Sequence, residues 1–345
     1  MLKLLGLGPE MYSGMESNSG EFFSLREWSD DYYKSFFKEF SMKPRRSNLS
    51  VPGHVTKMHP KAAECAADVV MLDLEDSVPV DQKEQARAQV IETLHKFDWS
   101  KKTVTVRINS LDTPFGYRDL LEVAEGAGEI IDNIVIPKVN TEKDIHFADC
   151  MLSGIEMSKG FSRTLGIEAS IETAEGLLNA AKIAAASPRI LGLVFGIADY
   201  SASVGARLVS ISGHGEKEED LYPGHRWHYP LSRMVMSAKA CGALAIDAPY
   251  GNFKDEEGLR KAAVMTCALG CDGKWAIHPA QIDVINEVFT PAAAEIALAQ
   301  KVLAANEEAA SSGKGAIAVE GRMVDQATVR MAEQLCSRAK HLGLL

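Results

Sequence analysis

Seven short apolar runs recur along this chain at intervals of about 30 residues, and each closes on a charged or proline-containing cluster. The clusters are Leu74-Glu75-Asp76, Arg107-Ile108-Asn109, Ile136-Pro137-Lys138, Ile171-Glu172-Thr173, Ala198-Asp199-Tyr200, Asp247-Ala248-Pro249 and Ile277-His278-Pro279. Ala-, Leu- and Glu-rich stretches of helical period lie between them. The alternation predicts repeated strand–helix units with their reactive groups gathered at one end of every strand. In an α/β (β/α)8 TIM barrel, that end is where active sites are built. The pattern therefore predicts both a fold and an enzyme.

The 345 residues accommodate one barrel of about 250 residues with extra segments. Strands are expected at Leu49–Gly53, Asp68–Glu75, Thr103–Ile108, Ile134–Val139, Thr164–Glu172, Ile190–Asp199, Leu244–Pro249 and Lys274–Pro279. Helical stretches are expected at Asp81–His95, Thr141–Met157, Thr173–Ala186 and Trp227–Ala240. The connection from Gly205 to Arg226 shows little periodicity, and a loop of that length suits the shaping of a binding mouth. Residues 44–291 form the expected barrel. Residues 292–345, a helix, a Gly/Ser-rich turn, a strand-like segment and a second helix, read as a C-terminal lid. Residues 1–43 are an aromatic-rich extension in which Tyr33, Phe36, Phe37 and Phe40 share one helical face. That face fits packing on its own barrel and docking on a neighbouring subunit equally well.

A formal net charge of −10 argues against general nucleic-acid binding, which needs basic surface. The six cysteines include no Cys-x-x-Cys pair, and Cys267 and Cys271 have the spacing of helix packing. A chain this rich in core needs no disulfides, so a reducing cytoplasm is expected. Neither a membrane span nor a signal-peptide core is evident, and no membrane partner is expected. Gly-x-Gly-x-x-Gly, phosphate-loop and Ser-His-Asp signatures are absent.

Glu172 and Asp199 lie one repeat apart, at the expected ends of successive strands. Strands about 4.8 Å apart let two carboxylates share one cation, and such a pair with room for water suits Mg²⁺. Both acids also suit helix N-termini, so capping is the alternative. Arg107 can hold a carboxylate through two parallel hydrogen bonds, or pair with Glu75 or Asp76, or do both. Asp73, Glu75 and Asp76 crowd the end of the second strand and require a nearby cation or arginine. A role for them through water to the metal is expected rather than direct ligation. Lys138 can steady an anion or bond Glu172. His278 stands where it can orient a loop or contact a ligand.

These residues sit in longer motifs. They include Arg46-Ser47-Asn48-Leu49, Val51-Pro52-Gly53, Asp73-Leu74-Glu75-Asp76-Ser77-Val78 and Val106-Arg107-Ile108-Asn109-Ser110-Leu111-Asp112-Thr113-Pro114-Phe115. Further along come Ile136-Pro137-Lys138-Val139, Ala186-Ser187-Pro188-Arg189, Trp227-His228-Tyr229 and Lys274-Trp275-Ala276-Ile277-His278-Pro279. From about residue 45 onward the chain resembles the malyl-CoA lyases of the citrate lyase β-subunit-like HpcH/HpaI aldolase family. The extension lies outside the likeness, and Ser210–Arg226 departs from it.

The resemblance implies a Mg²⁺-dependent barrel, with Mn²⁺ as the alternative ion, that reversibly cleaves (S)-malyl-CoA to acetyl-CoA and glyoxylate. Cleavage of β-methylmalyl-CoA to propionyl-CoA and glyoxylate is the implied companion activity. It implies Glu172 and Asp199 as metal ligands, Arg107 as the glyoxylate-binding arginine and Asp325 as a lid aspartate reaching a neighbouring subunit. Arg46 and Lys61 fit an expected contact with CoA phosphates, and His278 joins them as a ligand contact. Glu75 and Asp76 complete the catalytic group. A homotrimer or homohexamer is implied. Three rivals stay open: citramalyl-CoA lyase, a malyl-CoA thioesterase on the same scaffold, and a non-catalytic scaffold subunit.

Overall fold

Unbroken runs such as Val69–Leu72 and Ile190–Val194 carry no polar face, so they suit strands covered on both sides. In the computed structural model of the chain they close into a barrel. The structure describes residues 43–207, 226–312 and 317–345. The aromatic extension, His225 and most of the Gly205–Arg226 connection lie outside these residues.

The barrel strands are β1 (Ser47–Pro52), β2 (Val69–Asp73), β3 (Thr103–Arg107), β4 (Asn133–Ile136), β5 (Gly166–Ile171), β6 (Ile190–Phe195), β7 (Leu244–Asp247) and β8 (Gly273–Ala276). They pair in parallel in chain order, and β8 returns to β1. The helices of this region are α1 (His59–Glu64), α2 (Lys83–Lys96), α3 (Gly116–Ala127), α4 (Glu142–Lys159), α5 (Ala174–Ala184), α6 (Ile197–Ser203), α7 (His228–Ala240), α8 (Glu256–Leu269) and α9 (Ile282–Val288). One large apolar layer joins strands to helices, with Leu72, Val104, Ile134, Ile167 and Leu193 among its members. The alternate residues Met71, Val135, Val194, Ile246 and Trp275 form a separate cluster inside the barrel.

The sixth strand is shorter than the periodicity predicts. It ends at Phe195, and Asp199 lies in the first turn of α6. The apolar run continues through Ile197 and Ala198, so only Gly196 marks the break. Beyond the barrel, α10 (Ala293–Ser312) is followed by the hairpin β9 (Ile317–Val319) and β10 (Arg322–Val324), then α11 (Gln326–His341). These helices share a core of their own, made of Ala299, Val302, Val324, Val329, Ala332 and Cys336. By length and composition alone, Pro279–Ser311 is apolar enough to cross a membrane. Here it is broken into a 3-10 turn, α9 and α10.

The Ser187-Pro188-Arg189 motif proves to be a clamp. Arg189 donates to Asp149 at 2.5 Å, to both Glu156 oxygens at 2.6 Å and to the Leu165 carbonyl at 3.0 Å, fastening α4 to the start of β6. Removing a charge paired this deeply strands its partners. Arg189→Ala is expected to cost about 3 kcal/mol in urea-unfolding free energy. A loss below about 1 kcal/mol would show that the clamp is ornamental.

Candidate active site at the barrel mouth

Parallel strands all deliver their last residues to one rim, and β2 and β3 end on Asp73 and Arg107, which are register partners. Arg107 donates from Nε to Asp73 Oδ1 at 2.6 Å and from Nη2 to Asp73 Oδ2 at 2.8 Å. Its Nη1 lies 2.8 Å from Glu75 Oε2 and 3.7 Å from Asp76 Oδ2. Beneath it, the Trp275 ring centroid is 5.4 Å from the guanidinium carbon. Burial alone would raise the Asp73 carboxyl, but the Arg107 charge, its hydrogen bonds and Ser77 hold it at about 2. The arginine is thus locked in plane by an ionised partner, and the pairing with Glu75 and Asp76 that the sequence offers as one alternative is present as geometry.

The loops behind this pair are fixed by groups that no motif or periodicity marks. Lys83, on α2, donates to Asn109 Oδ1 at 2.5 Å and to the carbonyls of Leu74 and Glu75 at 3.1 and 3.0 Å. Asp119 accepts from the Asn109 amide at 2.9 Å and from Arg87 Nε at 2.7 Å. A lysine in an amphipathic helix reads as a solvent-facing residue, so no periodic signal could have found it.

Glu172 follows β5 and is buried. It does not cap the next helix: Thr173 does, accepting from Gly176 N at 2.9 Å. Glu172 Oε2 accepts from the Lys138 amide at 3.2 Å. Gly196 lies so close that an added Cβ would stand 2.1 Å from Glu172 Cγ, so only glycine leaves room for this carboxylate. Lys138 Nζ donates to Glu75 Oε1 at 2.5 Å and lies 3.6 Å from Asp76 and from Asp199. Glu75 is buried; Asp76 is the exposed member of the group. Burial, then the Glu75 charge, then Asp199 push the Glu172 carboxyl up against the opposing pull of Arg107 and Lys138.

The remaining expected residues divide. His278 follows β8 at the mouth end, its ring stacked 4.5 Å from Phe253 at 18°. Lys61 is exposed on α1, which follows β1 at the same end. Arg46 requires correction. It precedes β1, so strand direction places it at the opposite rim, where it donates twice to Asp68 at 2.8 Å and once to Thr290 at 2.7 Å. Its work is to join the start of β1 to neighbouring segments. Asp325 is exposed at the N-cap of α11 and accepts from Thr328 N and Oγ1 at 2.7 and 2.8 Å. Those two bonds hold its carboxyl below the usual range.

A closed parallel barrel that gathers five carboxylates, one fixed guanidinium and one ammonium at its C-terminal rim is built as an enzyme. The family model for HpcH/HpaI aldolase/citrate lyase matches residues 46–279, and the chain belongs to that family. Among its relatives, the L-malyl-CoA/beta-methylmalyl-CoA lyase of Rhodobacter capsulatus is 43% identical over 86% of this chain and 94% of that protein. The malyl-CoA/beta-methylmalyl-CoA/citramalyl-CoA lyase of Chloroflexus aurantiacus is 33% identical over 92% of this chain and 97% of that protein. The solved structure of CitE from Mycobacterium tuberculosis in complex with magnesium, acetoacetate and coenzyme A superposes with a TM-score of 0.67. It is 31% identical and covers 87% of this chain and all of the other.

The mouth suits a divalent cation on its own chemistry. Among the described residues, Asp73, Glu75, Asp76, Glu172 and Asp199 outnumber the cations beside them, Arg107, Lys138 and the Lys83 ammonium behind, and burial together with the neighbouring acid charges raises the proton affinity of Glu172. No closed cage of three or more His, Cys, Asp or Glu groups occurs among the described residues. Mg²⁺ keeps several waters and needs only one or two protein carboxylates. The sign of the linkage follows. In metal-free protein, folded Glu172 keeps a proton that the unfolded chain releases above 4.5, so stability falls as pH rises from 4.5 to about 8. Glu172→Gln is expected to gain stability relative to the parent across that window, read as thermal midpoints in EDTA. A difference that stays flat with pH would show that Glu172 ionises normally.

Proposed function

We propose that this chain is a Mg²⁺-dependent carbon–carbon lyase that reversibly cleaves (S)-malyl-CoA to acetyl-CoA and glyoxylate, and β-methylmalyl-CoA to propionyl-CoA and glyoxylate. One observation carries the reading: a buried carboxylate set among like charges, Glu172, shares a mouth with a guanidinium whose orientation is fixed, Arg107. The relatives' names supply the substrate class.

Glu172 and Asp199 would hold the cation, Mg²⁺ in the first place and Mn²⁺ as its substitute. When bound there, it supplies Lewis-acid stabilisation of negative charge on the 2-hydroxyl oxygen. Asp73 occupies one edge of Arg107, and Glu75 lies against Nη1. One N–H on each of Nη1 and Nη2 is then free for the carboxylate of the 2-hydroxy acid, which it orients along the bond to be broken. Cleavage passes the hydroxyl proton to water in the mouth, forms the C=O bond of glyoxylate and leaves the electron pair of the broken C–C bond on the thioester α-carbon. That enolate needs a proton, and Asp325 is the donor in cleavage and the base in condensation. An exposed, doubly hydrogen-bonded Asp325 is too acidic to donate. Its proton affinity must rise when it is covered, which fits delivery into a neighbouring mouth within a trimer or hexamer. Lys61 and His278 serve the CoA end. Six free thiols suit a reducing cytoplasm.

Purified protein with Mg²⁺, acetyl-CoA or propionyl-CoA, and glyoxylate or pyruvate should yield malyl-CoA and β-methylmalyl-CoA, identified by mass. Product only from pyruvate would make it a citramalyl-CoA lyase. Free CoA and malate from malyl-CoA, without glyoxylate, would make it a thioesterase. Asp325→Asn should lower kcat at least tenfold while substrate still binds, about 1.4 kcal/mol of transition-state stabilisation. Mixed oligomers of Asp325→Asn and Arg107→Ala protomers should regain part of the activity. No recovery in confirmed mixed oligomers would place the aspartate's action within its own chain.

A further inference from the structure

Lys138 is the one described residue of the mouth that stands in a backbone conformation its side chain disfavours. Its φ is +52°, in the left-handed region, and Glu320 in the β9–β10 turn is the only other non-glycine there among the described residues. Glu320 sits in an exposed hairpin beside Gly321, where turns require that geometry. Lys138 lies two residues beyond β4, where Asn or Gly would adopt the same backbone with less strain. Strained residues persist where the surroundings over-determine them, and they cluster at functional sites.

The strain has two visible products. It turns the Lys138 amide onto Glu172 Oε2 at 3.2 Å. It also sends the ammonium across the mouth to Glu75 Oε1 at 2.5 Å, with Asp76 and Asp199 each at 3.6 Å. A single residue therefore grips one of the two carboxylates assigned to the cation through its backbone, and lies beside the other through its side chain. Neither Asn nor Gly could do the second.

We propose that Lys138 is a built-in counter-cation of the mouth: it holds the acid cluster assembled before a divalent ion arrives, and by its like charge it weakens the binding of that ion. Lys138 is on this view a positioning residue that tunes metal affinity, keeping the ion exchangeable. The inference rests on the assignment of Glu172 and Asp199 as cation ligands. A unit charge beside a divalent ion is worth about a factor of ten in affinity even when screened by water.

The test is calorimetric titration of the full chain with MgCl₂ alone, without substrate. Glu172→Gln comes first, because it examines the ligand assignment by itself. If the parent and Glu172→Gln bind Mg²⁺ equally, the ligand assignment falls and takes this inference with it. If Glu172→Gln loses Mg²⁺ binding, the assignment stands and the lysine variants decide. Lys138→Met should then bind Mg²⁺ about tenfold more tightly, while Lys138→Arg, which keeps the charge, should stay within about twofold of the parent. Lys138→Gly is expected to match Lys138→Met, since it accepts the backbone without strain, and it stands in should the methionine variant not fold. Unchanged or weaker Mg²⁺ binding in the uncharged variants overturns the proposal and leaves Lys138 as a scaffold for the loop.

Discussion

The two parallel hydrogen bonds between Asp73 and Arg107 are the interaction on which the mouth depends. They cross from β2 to β3 at the last register pair, so they set the rim spacing and the arginine's orientation together. A guanidinium held at one edge by an ionised partner loses little freedom when its other edge binds a second carboxylate. Trp275 closes the space below it. Without Asp73, the same arginine would be a buried charge drawn toward Glu75 and Glu172, and the field that defines the rest of the site would collapse around it.

Around that fixed point the chain tolerates an unbalanced set of charges. Protein interiors ordinarily neutralise their acids. Here the surplus is kept, and its effect concentrates on Glu172, which is buried but lacks the arginine hydrogen bonds that hold Asp73 ionised. The barrel can hold such a cluster because its stability is made elsewhere: in the apolar layer between strands and helices, and in clamps such as Arg189 that lie far from the mouth. Separating the elements that stabilise from those that react is what lets the rim stay electrostatically unsatisfied.

Much of this was legible in the sequence, for physical reasons. Strands buried on both faces leave unbroken apolar runs, and a barrel orders its strands as the chain does, so the architecture followed from periodicity. Arg107, Glu75 and Glu172 were visible because charge at the end of an apolar run has few other uses. The failures have causes too. Periodicity puts Asp199 on a strand because Ile197 and Ala198 prolong the apolar run past a break that only Gly196 signals. The motif around Arg46 suggests a ligand contact, although the residue precedes its strand and so belongs to the other rim. The buried Lys83, the close approach of Gly196 and the left-handed Lys138 depend on tertiary packing, and periodicity carries no trace of them.

The terminal helices α10 and α11 enclose an apolar centre separate from that of the barrel. A pair that stabilises itself can be repositioned as a rigid body without tearing the fold it is attached to. It also forms a cassette: substitutions that repack its centre need not reach the reactive rim. The terminal pair and the reactive rim of this chain are therefore free to diverge at different speeds.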